Sequence, residues 1–353
     1  MIAAMSGGVD SAVAAGLLVE AGYGVVGVTM KMYSPSKAAH AKSCCGIEDF
    51  DDARKSANVL GIPHYVLDFE ETFRRTVIDR FVHEYASGRT PNPCVSCNNF
   101  VKLGTLRRYA DSIDAPYIAT GHYARVEHRQ DGPHLLRGTH AKDQAYALAQ
   151  LAPDQLARLL LPLGELDKKQ TRAHARRMGL RVHDKAESQD ICFVEGGDYR
   201  EVLARVQSSI HQPGAIVSNA GTAVGSHNGV AHFTVGQRSG LPGGSGFARY
   251  VTRIDAQSNT IVIGREDELD VRALIADEVN LIRGERFGQT EVPVLAMVRY
   301  RCAPAAAMAC VRDGLLHVRF QSPLRAVSPG QLVALFDEGG EEVLGAATIR
   351  ESV

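Results

Sequence analysis

Ser6-Gly7-Gly8-Val9-Asp10-Ser11 follows an apolar stretch, Ile2 to Met5, and precedes a helical pattern that runs from Ser11 to Glu20. A glycine-rich turn between a strand and a helix lets backbone N–H groups converge on an anion at the positive end of the helix. Gly7 and Gly8 permit backbone angles that a side chain would forbid, so a phosphate group can approach closely. The stretch therefore predicts a phosphate-binding loop; a turn that uses glycine for its geometry alone is the competing interpretation.

The polar side chains of this loop indicate what kind of phosphate chemistry it serves. Ser6 and Ser11 offer hydroxyl donors, and Asp10 is suited either to orient the loop or to hold magnesium. The stretch lacks the lysine of the G-x-x-x-x-G-K-[ST] motif, which argues against transfer of a γ-phosphoryl group. It resembles the pyrophosphatase-type loop, or PP-loop, of enzymes that adenylate a substrate and release pyrophosphate. That resemblance implies ATP but does not identify the acceptor.

The sequence on either side of the loop alternates short apolar runs with helical patterns. Further apolar runs lie at Val25 to Met30 and Tyr65 to Asp68, and a helical pattern covers Phe50 to Leu60. This alternation predicts an α/β fold with a parallel sheet flanked by helices. Another apolar run, Tyr117 to Thr120, ends beside Gly121, at the carboxyl end of a strand where such folds carry their ligands.

The composition changes after about Val206, where glycines separate short alternating runs. Strands are predicted at Ala231 to Val235 and Thr260 to Ile263 in a small β-rich module. Further strands at barrel-like spacing are predicted at Val292 to Tyr300, Leu315 to Phe320, Gln331 to Phe336 and Glu342 to Ile349. We therefore expect a nucleotide domain over residues 1–206, a β-rich domain over 207–271 and a β-barrel over 272–353.

Length and charge set limits on the class of protein. A chain of 353 residues exceeds the roughly 250 at which single cores stop growing, so two or three domains are expected. No stretch approaches the roughly 20 apolar residues of a membrane span, and the cytoplasm is the expected location. The net charge of −1 argues against a uniformly basic nucleic-acid binder. The basic segment Lys168 to Lys185 is suited to hold a phosphate backbone, although a solvated helix face explains it equally well.

The seven cysteines are unevenly placed, which is not the dense pattern of a small disulfide-linked domain. Cys94 and Cys97 have C-x-x-C spacing, typical of a redox couple or half a metal site, and coincidence also explains it. A thiol at or beside a helix N-terminus is favoured as thiolate, which makes Cys97 a candidate nucleophile. Cys192 lies among apolar residues that suggest a buried strand, where a core cysteine is the simpler interpretation. Cys44, Cys45, Cys302 and Cys310 are assigned no role.

Together these segments resemble the tRNA-specific 2-thiouridylase family, MnmA or TrmU, along nearly the whole chain. The matching segments are Met5 to Ser11, Gly88 to Asn98, Ala119 to Tyr123, Lys142 to Tyr146, Ser188 to Phe193, Thr234 to Gly240, Arg299-Tyr300 and Pro329 to Gln331. The resemblance implies an adenine nucleotide α-hydrolase-like domain, a central β-domain and a C-terminal barrel. It also implies transfer of sulfur to C2 of the wobble uridine of tRNA, through adenylation of the 2-carbonyl oxygen.

The resemblance assigns roles to particular residues. ATP would be bound by Ala4, Met5, Ser6, Gly7, Gly8, Val9, Asp10, Ser11, Met30 and Gly121. Cys97 would be the nucleophile, Cys192 would carry a persulfide, and the target base would meet Asn92, Pro93 and Cys94. tRNA would be contacted by His122, Lys142, Asp143, Gln144, Arg299, Tyr300 and Gln331. Without the resemblance, His122 could equally cap a strand end, and residues 142–144 could be a polar turn.

One departure from the family bears on the sulfur chemistry. Many relatives have aspartate where this chain has Cys94, so Cys94, Cys97 and Cys192 are candidate ligands of an iron–sulfur cluster with an open iron position. The persulfide version needs a sulfur-donor protein, either a cysteine desulfurase or a relay protein, and magnesium is expected with ATP. Two other functions stay open: a PP-loop synthetase acting on a small molecule, and a non-catalytic adenine-nucleotide sensor with structural zinc.

Overall fold

A computed structural model describes residues 1–34, 46–186, 191–194, 197–207, 210–243 and 246–353. Cys44, Cys45 and the segment Ser188 to Asp190 lie outside the described residues. The chain divides into two compact units. The first comprises Met1–Ile78, Cys94–Asp198 and Glu341–Val343, and the second comprises Asp79–Pro93, Tyr199–Gly340 and Leu344–Val353. None of the helices in the described ranges has the length and apolar character that a membrane crossing requires.

A five-stranded parallel sheet forms the centre of the first unit, as the alternating pattern predicted. Its order is β3-β2-β1-β4-β7, with β1 at Ile2–Ala4, β2 at Val26–Lys31, β3 at His64–Asp68, β4 at Ile118–Ala119 and β7 at Leu159–Leu160. Strand β1 lies in the middle, where Ile2 is level with Val26 on one side and Ile118 on the other. Its residues are buried, as expected for a parallel strand that is covered on both faces.

Helices cover this sheet. The α-helices of the unit are α1 at Val9–Glu20, α2 at Ile47–Leu60, α3 at Glu70–Phe73, α5 at Pro93–Ser96, α6 at Leu106–Ser112, α7 at Ala145–Leu148, α8 at Pro153–Leu156 and α9 at Lys168–Arg177. The described residues of this unit also form two π-helices, Arg74–Ile78 and Cys97–Thr105, and a 3₁₀ helix, Arg181–Asp184. Most of α1 is buried, because its small residues let it pack closely between the sheet, α2 and α9.

Two features of the first unit differ from expectation. A hairpin, β5 at Ala124–Arg129 and β6 at Gly132–Arg137, lies within the predicted nucleotide domain at a place where no strand was predicted. Its strands are rich in charged and polar residues, so they lack the apolar run that marks a strand in sequence. The predicted buried strand around Cys192 is wrong, because Cys192 and Phe193 lie in a turn. Phe193 itself is buried, which explains the apolar pattern without a strand.

The second unit contains a four-stranded sheet of order β10-β11-β8-β9, with β8 at Gly214–Ser218, β9 at Ala223–His227, β10 at Tyr250–Asp255 and β11 at Thr260–Gly264. The strand predicted from Thr260 is confirmed. The strand predicted over Ala231 to Val235 is wrong, because the chain forms a 3₁₀ helix at Val230–His232. Gly229 and Gly236 adopt positive φ on either side and turn the chain, while Val230, Ala231 and Phe233 are buried.

A closed six-stranded barrel lies largely in the second unit, as predicted. Strands follow the order β12-β15-β14-β13-β16-β17, and β12 pairs with β17 to close it. Their bounds are β12 at Asp270–Leu281, β13 at Val292–Met297, β14 at Ala305–Arg312, β15 at Leu315–Arg325, β16 at Leu332–Phe336 and β17 at Glu342–Ser352. The unit also holds α4 at Asp79–Ala86, α10 at Tyr199–Val206 and 3₁₀ helices at Glu266–Leu269 and Gly284–Arg286.

The barrel interior should determine the stability of the second unit. Phe320 on β15 is 4% exposed within the barrel core, whereas Phe247 is 49% exposed. We expect Phe320→Ala to lower the free energy of unfolding by about 3–5 kcal/mol, because it leaves a cavity. The matched change Phe247→Ala should cost less than about 1 kcal/mol. Guanidinium unfolding followed by circular dichroism measures both, and equal losses would contradict the assignment of the core.

Candidate active site

The predicted phosphate loop lies at the carboxyl end of β1 and leads into α1. Gly7 has a φ of 75°, in the left-handed region that glycine tolerates best, and Gly8 is the N-cap of α1. The Ser6 N–H donates to Ser11 Oγ at 3.1 Å, and the two hydroxyl oxygens lie 3.3 Å apart. Both serine hydroxyls are thus held at the mouth of the turn. The first N–H groups of α1 have no acceptor within the helix, so the turn has the geometry of an anion site.

Gly121, which the sequence placed in the nucleotide site, packs directly on this loop. A Cβ built on Gly121 would lie 2.7 Å from both the Asp10 carbonyl carbon and the Ser11 nitrogen. Real Cβ atoms do not approach backbone so closely, so any other residue would displace the first turn of α1. The end of β4 and the phosphate loop therefore form one rigid edge of the sheet. Met30, also expected at the nucleotide, is buried on the neighbouring strand β2.

Asp10 is held on two sides. Lys168 Nζ lies 2.7 and 2.9 Å from its two carboxylate oxygens, and the Tyr123 hydroxyl donates to Oδ1 at 2.7 Å. The Tyr123 hydroxyl also lies 3.1 Å from Thr171 Oγ1 on α9. Both carboxylate oxygens are thus occupied by protein donors. Of the two roles that the sequence allowed for Asp10, this arrangement favours orientation of the loop over magnesium ligation.

The basic segment is mostly engaged within the unit. Arg172 donates to the carbonyls of His183 and Lys185, Arg177 pairs with Glu20, and Lys185 pairs with two aspartates of α2. These contacts, with the Lys168–Asp10 pair, account for most of the positive charge counted in sequence. The sequence allows two interpretations of this segment, a solvated helix face and a contact for a phosphate backbone. Both interpretations are incomplete, because most of these side chains bond to other residues of the nucleotide domain.

Cys97 begins the π-helix and is buried, with its Sγ 3.7 Å from the Met32 sulfur just beyond β2. One helical turn, Pro93–Ser96, directly precedes it, so Cys97 is the first residue of the π-helix but lies one turn inside the continuous helical run. The first turn holds Cys94 instead, with an exposed side chain. π-Helices are rare in proteins, and many of those that do occur lie at functional sites. This one fixes Cys97 at the sheet edge that carries the phosphate loop.

Polar contacts anchor the Cys97 helix to α7, which follows the segment 142–144 expected to contact tRNA. Asn98 is buried and donates to the Ala147 carbonyl at 2.9 Å, and Lys102 Nζ lies 3.0 Å from Asn98 Oδ1.

His122 Nδ1 lies 2.7 Å from Thr120 Oγ1. Although His122 as a whole residue is only partly buried, desolvation by the surrounding protein, aided by Lys102, lowers its pKa to about 3. His122 is therefore neutral at physiological pH.

The segment 142–144 is a turn with structural contacts. Asp143 accepts from the Gly138 and Ala145 N–H groups at 2.9 and 3.0 Å and from Arg137 Nε at 2.9 Å. Gln144 Oε1 accepts from the Tyr123 N–H at 2.9 Å. Asp143 and Gln144 thus support the residues beside His122, and their assignment as direct tRNA contacts stays a prediction. Lys142 is partly exposed in the same turn.

Cys192 is partly exposed in a turn of the first unit. The next residue, Phe193, packs edge-on against Phe73 of α3 with ring centroids 5.7 Å apart, and α3 in turn contacts the π-helix of Cys97. Within the described residues, no three His, Cys, Asp or Glu side chains lie close enough to hold a metal ion. Cys94, Cys97 and Cys192 are therefore not gathered into a cluster site in this arrangement.

The remaining candidates belong to the second unit. Gln331 Nε2 donates to the Thr90 carbonyl at 2.8 Å, beside the stretch that holds Asn92 and Pro93. Tyr300 is 39% exposed, with the Arg301 guanidinium 5.3 Å from its ring centre. Arg299 accepts a hydrogen bond at its carbonyl from the Cys302 thiol, which fixes the backbone of this turn. Their roles toward RNA stay predictions.

Four residues at the site were not singled out from sequence: Met32, Lys102, Lys168 and Tyr123. Tyr123 lay inside a matching segment, and Lys168 lay inside the basic segment. Their partners are distant along the chain, so only the fold reveals what they do.

Comparison with known proteins agrees with this architecture. Three family models match in succession: a tRNA methyl transferase HUP domain over residues 1–196, a tRNA methyl transferase PRC-barrel domain over 202–265 and an aminomethyltransferase β-barrel domain over 271–349. A protein of Pelotomaculum thermopropionicum is 43% identical, covering 100% of this chain and 97% of its own. Relatives from Acetivibrio thermocellus (42% identical; 98% of each chain) and Methylorubrum populi (44%; 99% of this chain, 93% of its own) match as fully. All three are named tRNA-specific 2-thiouridylase MnmA.

The chain belongs to the tRNA-specific 2-thiouridylase family.

The packing of Gly121 on the loop can be tested in this 2-thiouridylase family member. Gly121→Ala should weaken ATP binding about tenfold or more, since the added methyl group must displace the first turn of α1. Gly24→Ala is the matched control, because no atom lies within 4 Å of its added Cβ. Calorimetric titration with ATP gives both affinities. Equal affinities would show that the contact does not shape the site.

His122 should make stability depend on pH. Its folded pKa of about 3 lies below the unfolded value, so only the unfolded state gains a proton as the pH falls below about 6.5. Stability is therefore lost on acidification. We expect His122→Gln to flatten the dependence of unfolding free energy on pH between about 7.5 and 5. Denaturant titrations at several pH values measure this, and a slope unaltered in His122→Gln would contradict it.

Proposed function

We propose that this protein is an ATP-dependent tRNA sulfurtransferase that converts the wobble uridine to 2-thiouridine. The relatives that match the whole chain are 2-thiouridylases. The single observation that carries the proposal is that the first unit brings the phosphate loop and Cys97 to the same edge of the sheet. Gly121 packs on the loop at the end of β4, and Cys97 contacts Met32 just beyond β2.

ATP serves as a reagent in this reaction, since a uridine carbonyl oxygen is a poor leaving group. The 2-carbonyl oxygen attacks the α-phosphorus, the bond to the bridging oxygen breaks, and pyrophosphate leaves. The turn at Gly7 and Gly8 and the first N–H groups of α1 stabilise charge on the phosphates. Magnesium would accompany the triphosphate and neutralise part of its charge. Ser6 and Ser11 hydroxyls orient the phosphates at the mouth of the loop.

Sulfur then replaces AMP at C2. The terminal sulfur of a Cys192 persulfide, supplied by a donor protein, attacks C2, and AMP departs with the former carbonyl oxygen. The Cys97 thiolate next attacks the Cys192 sulfur, the S–S bond to the base breaks, and 2-thiouridine is released. A Cys97–Cys192 disulfide remains, and a thiol reductant restores both thiols. The persulfide is preferred here to a cluster because the three candidate thiols do not form a ligand set among the described residues.

The residues proposed for binding the base and the RNA are those that the family resemblance implies. The wobble base must leave its stack to reach a buried thiol, as is usual for enzymes that act on RNA bases. Asn92, Pro93 and Cys94, next to Cys97 in sequence, would line its pocket. His122 and Lys142 in the first unit and Arg299, Tyr300 and Gln331 in the second would contact the tRNA. We propose the segments 1–206, 207–271 and 272–353 as its three functional domains.

Both thiols should be required. Cys97→Ser and Cys192→Ser should each abolish formation of 2-thiouridine, because neither hydroxyl can carry a persulfide or attack one. Cys192→Ser should leave tRNA affinity within about twofold. The measurement is nucleoside analysis of tRNA incubated with protein, ATP, magnesium and a sulfur source, with filter binding for affinity.

The control is Cys302→Ser, a partly buried thiol whose replacement hydroxyl can still donate to the Arg299 carbonyl. It should retain full activity. Thiolation by either Cys97→Ser or Cys192→Ser would overturn the two-thiol mechanism. Release of pyrophosphate with a small-molecule acceptor and none with tRNA would instead indicate another PP-loop synthetase.

A further inference from the structure

We infer that Lys185 is a positioning residue that sets the orientation of the Gly7–Gly8 peptide for ATP binding. The inference rests on the proposed use of ATP at the phosphate loop. Lys185 lies in the basic segment, for which the sequence allowed either contact with a phosphate backbone or a solvated helix face. In the structure its ammonium points into the nucleotide domain and donates to the Gly7 carbonyl of the loop, while Lys168 donates to Asp10 of the same loop.

The Lys185 ammonium has three acceptors, one for each of its protons. Nζ lies 3.0 Å from the Gly7 carbonyl oxygen, 2.7 Å from Asp49 Oδ1 and 2.6 Å from Asp52 Oδ2. Desolvation opposes its charge, but the bonds to Asp49 and Asp52 outweigh this and raise the pKa of Lys185. The ammonium therefore stays charged and is held in one position.

The bond to the Gly7 carbonyl controls where the next N–H points. The Gly7–Gly8 peptide is trans, so its C=O and N–H groups point in opposite directions. A carbonyl fixed toward Lys185 directs the Gly8 N–H away from Lys185, which turns it toward the opposite side of the loop. Glycine at positive φ has few steric limits on rotation, so Gly7 alone would not hold this orientation.

The backbone that carries Lys185 is itself fixed. Arg172 on α9 donates to the Lys185 carbonyl at 2.9 Å and to the His183 carbonyl. One turn earlier on the same helix, Lys168 holds Asp10 at the other end of the loop. Helix α9 thus supports the phosphate loop at two points, directly through Lys168 and indirectly through Arg172. Asp49 and Asp52 balance the charge of Lys185, so that the Lys185 ammonium does not turn to the phosphates of the nucleotide.

The test is Lys185→Met, which keeps the length of the side chain and removes the three donors. We expect the Kd and the KM for ATP to rise about tenfold, as for loss of a charged hydrogen bond. The kcat at saturating ATP should change less than about threefold, and tRNA affinity should be unchanged. Lys55→Met is the matched control. Lys55 also pairs with an aspartate of α2, Asp51, but that pair lies on the exposed side of the helix. It should bind ATP like the wild type.

The results separate this role from general stabilisation. ATP affinity equal to the wild type in folded Lys185→Met would overturn the inference, as would equal losses of ATP and tRNA affinity. If Lys185→Met does not fold, Lys185→Arg decides: its charge stays paired with Asp49 and Asp52, but the guanidinium is wider than an ammonium and cannot take its place 3.0 Å from the Gly7 carbonyl oxygen without moving that peptide. We expect it to fold with ATP affinity a few-fold weaker, and undiminished affinity would overturn the inference. Wild-type protein that fails to bind ATP would refute the proposed function instead.

Discussion

The site depends on one tight turn at the carboxyl end of the central strand. Gly7 adopts positive φ, and a Cβ there would collide with the Asp49 carbonyl on α2. Only glycine, among the amino acids, meets both conditions, so this turn requires glycine at position 7. Gly121 adds the same requirement from the next strand, where a side chain would collide with Asp10 and Ser11. Steric contacts at Gly7 and Gly121 therefore determine the conformation of the loop before any ligand binds.

Ionic contacts then hold this shape. Lys168 bonds the Asp10 carboxylate and Lys185 bonds the Gly7 carbonyl of the loop. Both lysines belong to the stretch that follows the last strand of the parallel sheet in sequence. Because they are partly buried and paired, these contacts rigidify the site more than exposed ion pairs would. A rigid cradle matters for adenylation, which depends on holding the α-phosphorus in line with the attacking oxygen. Cys97 is buried beside Met32 and is thereby shielded from solvent.

Local patterns predicted the framework well, since the phosphate loop, the parallel sheet and the barrel strands follow from glycine geometry and from periodic burial. The β5–β6 hairpin was missed because its strands are largely polar, and the Ala231 to Val235 strand was wrong because buried residues occur in a 3₁₀ turn as well. The basic segment shows its charge in sequence but not its partners: Lys168 lies 158 positions from Asp10, and Lys185 lies 136 from Asp49. The tRNA substrate came only from the family resemblance, because net charge and spacing carry no signal for one nucleoside.

The fate of the uridine oxygen tests the central claim that this loop activates the base with ATP. A tRNA carrying ¹⁸O at C2 of the wobble uridine, thiolated with unlabelled ATP, should yield AMP that contains the label. Mass spectrometry of the released nucleotide measures it. Label found in AMP in a one-to-one ratio with 2-thiouridine is the predicted result. Unlabelled AMP, or formation of ADP in its place, would contradict adenylation of the 2-carbonyl oxygen.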